Sequence, residues 1–185
     1  YTTLFRSLLG RNHVLRSFIW VVIMLALVGN FLVILVFLGY TVIIKRTKVK
    51  FFVVHFFYFN LAIADFLMGI YLLTIAIQDI STLGNFSMFD VSWRTEGGCD
   101  FAGFCAITST MVSVYVLLVI TIERLYTFSR ALKKSHTSKT TATILMAVGW
   151  GFGVLVGILP VVTKDVNDYT RTTICLPFDV SSKLA

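Results

Sequence analysis

The sequence predicts an all-α membrane protein built as a bundle of transmembrane helices. Hydrophobic residues make up 57% of the chain and charged residues only 14%, whereas a soluble domain carries about 25% charged residues. The apolar residues fall into four stretches, near residues 18–44, 51–77, 101–122 and 144–162. Each can cross a bilayer as a helix, the conformation in which a single segment satisfies its own backbone groups in lipid.

The distribution of charge between the apolar stretches predicts their orientation. Residues 45–50 hold four basic residues and no acidic one, and residues 130–139 are basic in the same way, whereas residues 78–100 hold four acidic residues and one arginine. Basic loops stay on the cytoplasmic side. We therefore expect a multi-pass plasma membrane protein in contact with lipid, with its N-terminus and its acidic loops outside the cell.

Two further features of the sequence agree with this orientation. Asn85 opens an N-glycosylation sequon in a predicted outer loop, and Cys99 and Cys175 both fall on the predicted outer side, where oxidation is allowed. We interpret residues 1–16 as an extracellular juxtamembrane segment and residues 17–185 as the membrane domain. No signal-peptide pattern precedes the first stretch, so a further N-terminal region is expected.

The third apolar stretch begins near Cys99 and ends at the adjacent pair Glu123 and Arg124. A helix from residue 99 to residue 124 rises about 39 Å, which places the cysteine and the charged pair at opposite membrane surfaces. Charges at a helix end usually mark the interface. An acid followed by an arginine also suits a switch, because a carboxylate can hold the guanidinium until another acceptor competes for it.

Among the polar residues within the apolar stretches, three are candidates for an interior polar site. Asn30 suits a polar packing contact between helices. Asp65 at this depth costs about 2.5–3.5 kcal/mol on insertion scales, so it is expected to face the interior, either as an ion ligand or relay or as a neutral hydrogen-bonding acid. Ser113 either approaches Asp65 or bonds to a carbonyl of its own helix.

The fourth stretch carries small residues on one face. Gly149, Gly153 and Gly157 recur every four residues beside Trp150, a spacing that allows close helix packing. Neither glycine-rich nucleotide-binding pattern is present. Pro160 is predicted to end the span.

The outer segments contain further candidate structural residues. Cys99 and Cys175 are 76 positions apart, and pairing them would tether the third helix to the following loop, with a stabilisation of up to about 4.5 kcal/mol. Cys105 suits a buried apolar position. Trp93, in the loop, suits an interfacial anchor.

The residue types exclude several other functions. The three histidines lie in separate segments and the cysteines lack zinc spacing, so we expect neither an enzyme nor a structural metal site. The net charge of +7 is gathered in the predicted inner loops instead of along one soluble face, which argues against nucleic-acid binding.

Several motifs together resemble the rhodopsin-like G-protein-coupled receptors, and among them the leucine-rich-repeat-containing glycoprotein hormone receptors. The superfamily markers are GN at 29–30, NLAIAD at 60–65, Trp93 before Cys99, ER at 123–124, GW at 149–150 and LP at 159–160. The subfamily resemblance rests on LRSFIW at 15–20, MGIYLL at 68–73, SVYVLLVITIER at 113–124, and Tyr169 followed by ICLPFDV.

The resemblance implies a role for each of these residue groups. The chain would supply the first four helices of a seven-helix receptor and its second extracellular loop, closed by a Cys99–Cys175 disulfide. Asp65, with Asn30 and Ser113, would form a polar network that binds sodium, the one cofactor implied. Arg124, held by Glu123 at rest, would be freed to receive a heterotrimeric G protein after a protein hormone binds a leucine-rich ectodomain, and adenylate cyclase would be stimulated.

The sequence departs from the family pattern in two places. The interval from Asn30 to Asp65 is longer than in the family, and Leu125 stands where relatives commonly carry an aromatic residue. The chain also stops where a fifth helix would begin.

Three other functions are compatible with the sequence: a relaxin- or R-spondin-type leucine-rich receptor, a truncated receptor that does not signal, and an unrelated four-helix membrane protein. The sequence also leaves open whether the protein forms homo-oligomers.

Overall fold

The structure, a computed structural model, describes residues 13–43, 49–82, 86–95, 97–129, 137–163, 169, 172 and 174–176. In chain order it contains α1 (His13–Met24), a π-helical segment (Leu25–Gly29), α2 (Asn30–Ile43), α3 (Val49–Ser81), α4 (Phe86–Thr95), α5 (Gly98–Ser129) and α6 (Lys139–Val162). The helices α1 and α2 and the π-helical segment between them are consecutive and form one long helix, called the first span below. The predicted all-α class is confirmed.

Within the described ranges, four helices are long and apolar enough to cross a membrane, as predicted. They cover Val14–Thr41 in the first span, Phe52–Ser81 in α3, Gly98–Ser129 in α5 and Lys139–Val162 in α6. The observed helices run past the apolar stretches; α5 continues to Ser129 instead of ending at residue 122. Backbone hydrogen bonding does not require apolar side chains, so a helix can continue into the polar membrane interface.

The helix α3 occupies the middle of the bundle, where it packs against the first span, α5 and α6. α5 also packs against α6 and against the short helix α4. The buried apolar residues form two clusters at different depths. The first contains Val53, Phe57, Ala64, Val112, Val116, Ala142 and Met146; the second contains Tyr71, Ile75, Cys99, Ala102, Cys105, Ala106 and Cys175.

Large apolar side chains cover the outward faces of the spans. Val36, Leu118 and Phe152 are all more than half exposed. A water-soluble monomer rarely exposes extended apolar surface, whereas lipid is as apolar as these side chains. The exposed surface therefore fits the membrane location.

The π-helical segment lies where the first span approaches α3. A Cβ built on Gly69 of α3 would lie 2.7 Å from Leu27 Cδ2, so an alanine there would require the Leu27 side chain to shift. Short π-helical insertions locally change which side chains a helix presents to its neighbours. Here the insertion ends directly before Asn30.

Candidate functional site

An interior polar contact joins α3 to α5 about midway along both helices. Ser113 Oγ donates to Asp65 Oδ1 at 2.8 Å, so of the two alternatives for the serine, the contact with the carboxylate is the one formed. Asn30 Nδ2 donates instead to the Ala26 carbonyl of its own helix at 2.8 Å. The structure thus brings two of the three predicted residues together, and the asparagine turns back towards the π-helical segment.

The oxygens at this contact suit a small hard cation. Sodium, like calcium, prefers oxygen ligands, and Asp65 Oδ2 has no hydrogen-bond partner among the described residues. Together with Oδ1 and Ser113 Oγ it presents three oxygens at one place. The described residues contain no group of three or more His, Cys, Asp or Glu side chains able to hold a metal ion.

A second polar contact joins α3 to α6. Trp150 Nε1 donates to Asn60 Oδ1 at 3.0 Å, and Asn60 Nδ2 donates to the Phe56 carbonyl at 2.8 Å. The asparagine amide is buried and uses both its oxygen and its nitrogen. Trp150 therefore ties two helices together through a hydrogen bond in addition to its packing.

The small residues of α6 lie against α5. A Cβ on Gly149 would overlap the ring of Tyr115, one on Gly153 would lie 2.5 Å from Val112 Cγ2, and one on Gly157 would overlap Thr108 Oγ1. All three glycines are buried. Their position matches the packing face predicted from the four-residue spacing.

Pro160 does not end the fourth span as predicted. It lies inside α6, which continues to Val162, and the Thr163 amide donates to the Leu159 carbonyl at 2.9 Å. Proline lacks only its own amide proton, so the amides that follow it can still complete the last turn. The helix ends at Val162, two residues after the proline and at the last residue of the predicted fourth stretch.

At the C-terminal end of α5, Glu123 and Arg124 do not form a salt bridge with each other. Thr127 Oγ1 donates to Glu123 Oε1 at 3.1 Å, and Arg124 Nη2 lies 3.4 Å from the Tyr58 hydroxyl on α3. Adjacent residues of a helix point about 100° apart, so each side chain meets a different neighbour. The expected pairing is therefore corrected by the structure, while the role of Arg124 stays a prediction.

A cavity of about 500 Å³ opens beside this end of the bundle. It lies between α3, α5 and α6, and the Glu123 carboxylate and several hydroxyl groups face it along with apolar side chains. Its lining includes Phe57, Val119, Glu123, Tyr126, Ser138 and Leu145.

At the N-terminal end of α5, Cys99 forms a disulfide with Cys175. Tyr71 Oη of α3 donates to the Ile174 carbonyl at 2.9 Å, so the segment around Cys175 is held by two helices. Cys175 has φ of 60°, in the left-handed region that non-glycine residues seldom adopt. Cys105 is buried nearby with a free thiol.

Tyr169 enters the bundle between α5 and α6. Its side chain is fully buried, its hydroxyl donates to the Gly157 carbonyl at 2.7 Å, and a Cβ on Gly103 would overlap its ring. Burial, followed by the negative charge of Asp100 and a contribution from Cys105, raises the pKa of the phenol to about 12. The hydroxyl therefore stays protonated and able to donate at neutral pH.

Trp93 packs against the protein instead of acting only as an interfacial anchor. Its ring lies against Gly98, where an added Cβ would be 2.7 Å from Cζ3, and it borders the cluster around the disulfide. The helix α4 (Phe86–Thr95) carries it back over α5. The predicted glycosylation site Asn85 lies outside the described residues.

Arg16 and Asp79 form an ion pair that was not predicted from the sequence. Arg16 Nε lies 2.8 Å from Asp79 Oδ2, and the aspartate side chain is completely buried. Both residues fall at the predicted outer boundary, on α1 and at the end of α3. Their shared membrane depth and opposite charges were the available signals, but depth alone does not show which side chains face each other.

Comparison with known proteins gives a consistent family. Residues 29–184 match the model of the 7 transmembrane receptor (rhodopsin family). The chain is 38% identical over 173 residues to the follicle-stimulating hormone receptor of Equus asinus, covering 93% of this chain and 24% of that receptor. It is also 38% identical over 180 residues to the lutropin-choriogonadotropic hormone receptor of Bos taurus, covering 97% and 24% respectively.

The chain thus spans about a quarter of the length of these relatives. The match covers all four spans except the first part of the first one, and the predicted family resemblance is confirmed. The chain belongs to the rhodopsin family of seven-transmembrane receptors and, within it, to the glycoprotein hormone receptor type.

Proposed function

We propose that this chain is part of the signalling domain of a receptor that transmits binding of an extracellular glycoprotein hormone to a heterotrimeric G protein, and that the output is stimulation of adenylate cyclase. Its relatives are named as receptors for follicle-stimulating hormone and for lutropin and choriogonadotropin. The proposal places the N-terminus outside the cell and assigns the protein no enzymatic reaction.

One observation carries the proposal. The helix α5 holds Cys99, disulfide-bonded to an outer segment, at one end and Arg124 at the other. The helix rises about 39 Å from residue 99 to residue 124. A displacement of the outer segment is therefore transmitted to α5, the helix that carries Arg124.

The inner end of α5 suits a protein partner. Arg124 is exposed, and its guanidinium offers five donors in a planar fork that matches carboxylates and carbonyls. The adjoining cavity of about 500 Å³ combines apolar walls with hydroxyl groups. We propose that Arg124 contacts the G protein once it leaves Tyr58.

The central contact suits an allosteric cation. We propose that Asp65 and Ser113 supply carboxylate and hydroxyl oxygens to a sodium ion, which would favour the arrangement of α3 and α5 that places these oxygens together. By mass action, an ion that binds one arrangement better stabilises that arrangement.

The test is made in the full-length receptor containing this chain. Arg124→Ala should reduce hormone-stimulated cyclic AMP to near the level of unstimulated cells while hormone binding at the cell surface is retained. Lys139→Gln, which removes another exposed inner cation on α6, is the matched control. Unchanged cyclic AMP output from the Arg124 variant at equal surface expression would contradict the proposal.

A further inference from the structure

A buried ion pair closes the outer end of the contact between the first span and α3. Arg16 and Asp79 meet at 2.8 Å, with side-chain exposures of 18% and 0%. Removing either residue takes a close partner of opposite charge from the other at low exposure, which costs more than losing a fully exposed pair. This contact is therefore a strong constraint on the two helices that it joins.

The rest of the interface follows the same antiparallel register. Tyr40 stacks on His55 at 5.5 Å, and Phe37 stacks on Phe59 at 4.4 Å between ring centroids. Residues further along the first span contact residues that come earlier in α3, by similar steps in residue number. The ion pair and the aromatic pairs thus hold opposite ends of one interface.

This register places the outer pair in line with the interior polar residues. Arg16 and Asn30 are 14 residues apart, as are Asp65 and Asp79. In α3 that spacing corresponds to about 21 Å along the axis and about 40° around it, so both aspartates lie on nearly the same face. A slip of the first span along α3 would therefore move Asn30 relative to the depth of Asp65.

We propose that Arg16 and Asp79 are a positioning pair: they fix the axial register of the first span on α3 and thereby restrain hormone-independent signalling. Without the pair, the bundle samples other registers more often, and a state that activates the G protein gains population. The inference rests on the proposed receptor function, and it concerns a contact between two helices of this chain.

A double-mutant cycle in the full-length receptor tests the pair. Arg16→Gln and Asp79→Asn should each raise hormone-independent cyclic AMP per surface receptor at least about twofold and lower the thermal midpoint of the purified receptor. The double neutral variant and the charge swap Arg16→Asp with Asp79→Arg should both lie closer to wild type than either single variant. Arg94→Gln, a loss of another outer-side arginine, controls for net charge.

Each result has a defined meaning. Single variants with unchanged or lower hormone-independent output, or double variants showing only the sum of the two single effects, overturn the positioning role. The thermal midpoints report coupling between the two residues without any G protein. If Arg124→Ala leaves cyclic AMP unchanged while the thermal cycle shows coupling, the proposed function fails and the register constraint still stands.

Discussion

Ser113 and Asp65 form a contact between α3 and α5 that places a hydroxyl on a carboxylate inside the membrane. Hydrogen bonds between membrane helices contribute about 0.6 kcal/mol on average and about 1.7 at most. Ser113→Ala should therefore lower the thermal midpoint of the purified receptor modestly. Ser109→Ala is the matched control, because that buried hydroxyl bonds to Ala106 of its own helix.

The same two residues allow a test for sodium. Exchanging sodium for choline at constant ionic strength should lower the midpoint of wild type and should have a smaller effect on Asp65→Asn, because a bound ion stabilises only the protein that can bind it. Equal shifts in both proteins would remove the cation from the proposal.

The Tyr58 hydroxyl lies at the guanidinium of Arg124. Tyr58→Phe removes that oxygen and leaves the ring, so the arginine loses a partner that holds it against α3. Since a long hydrogen bond between exposed groups is weak, we expect a rise of about twofold in hormone-independent cyclic AMP. Tyr40→Phe, which removes a tyrosine hydroxyl from the first span, should leave the output at the wild-type level; equal output from both variants would contradict the prediction.

Tyr169 gives a pH dependence with a definite sign. Its pKa is raised from 10 to about 12, so between these values the unfolded chain loses the proton first. The stabilisation is complete below about pH 10 and declines as the pH rises through that window. The fall in thermal midpoint from about pH 9 to 11 should be smaller in Tyr169→Phe than in wild type. In the control Tyr126→Phe the fall should equal that of wild type.

At the scale of elements, the close packing of α6 on α5 depends on the glycines in their interface. Gly153→Ala should force the two helices apart against Val112 and the Thr108 carbonyl, at 2.5 and 3.3 Å from the new Cβ, with a loss of about 1–3 kcal/mol as in other overpacked cores. Surface expression and thermal midpoint should both fall. Gly151→Ala is the matched control, since nothing lies within 4 Å of a Cβ there, and equal losses would contradict the packing role.

The elements also show what the sequence could and could not predict. The spans were predictable because lipid imposes a length and an apolar composition on each of them. The contact between Asp65 and Ser113 was one of two possibilities that the sequence left open for the serine, because polar side chains in lipid form hydrogen bonds with each other. The Arg16–Asp79 and Arg124–Tyr58 contacts depend on helix rotation and register, which composition does not encode. Likewise, α4 is too short and mixed for its pattern to show that Trp93 packs inward.

At the scale of the whole molecule, α3 takes part in most of the described hydrogen bonds and ion pairs between elements. Along its length it contacts Arg16, the Ile174 carbonyl, Ser113, Trp150 and Arg124. These partners belong to the first span, the outer segment, α5 and α6. A shift of α3 therefore changes contacts at both membrane surfaces at once.

The orientation of the whole molecule has a direct test. Met88 on α4 is 78% exposed and Phe128 at the end of α5 is 84% exposed. In intact cells a membrane-impermeant maleimide should label the variant Met88→Cys, and it should label Phe128→Cys only after permeabilisation. The native cysteines contribute little background, because two are disulfide-bonded and Cys105 is buried. The reverse labelling pattern would invert the proposed topology.

The burial of Tyr169 also determines how a small molecule can enter the bundle from the end that carries the disulfide. The phenol fills the gap between α5 and α6 down to the Gly157 carbonyl, and Gly103 closes around its ring. This route is plugged by the protein's own side chain. A drug-sized compound reaching the interior must therefore approach along another side of α5, and an inhibitor aimed at the α5–α6 seam would first have to displace the tyrosine.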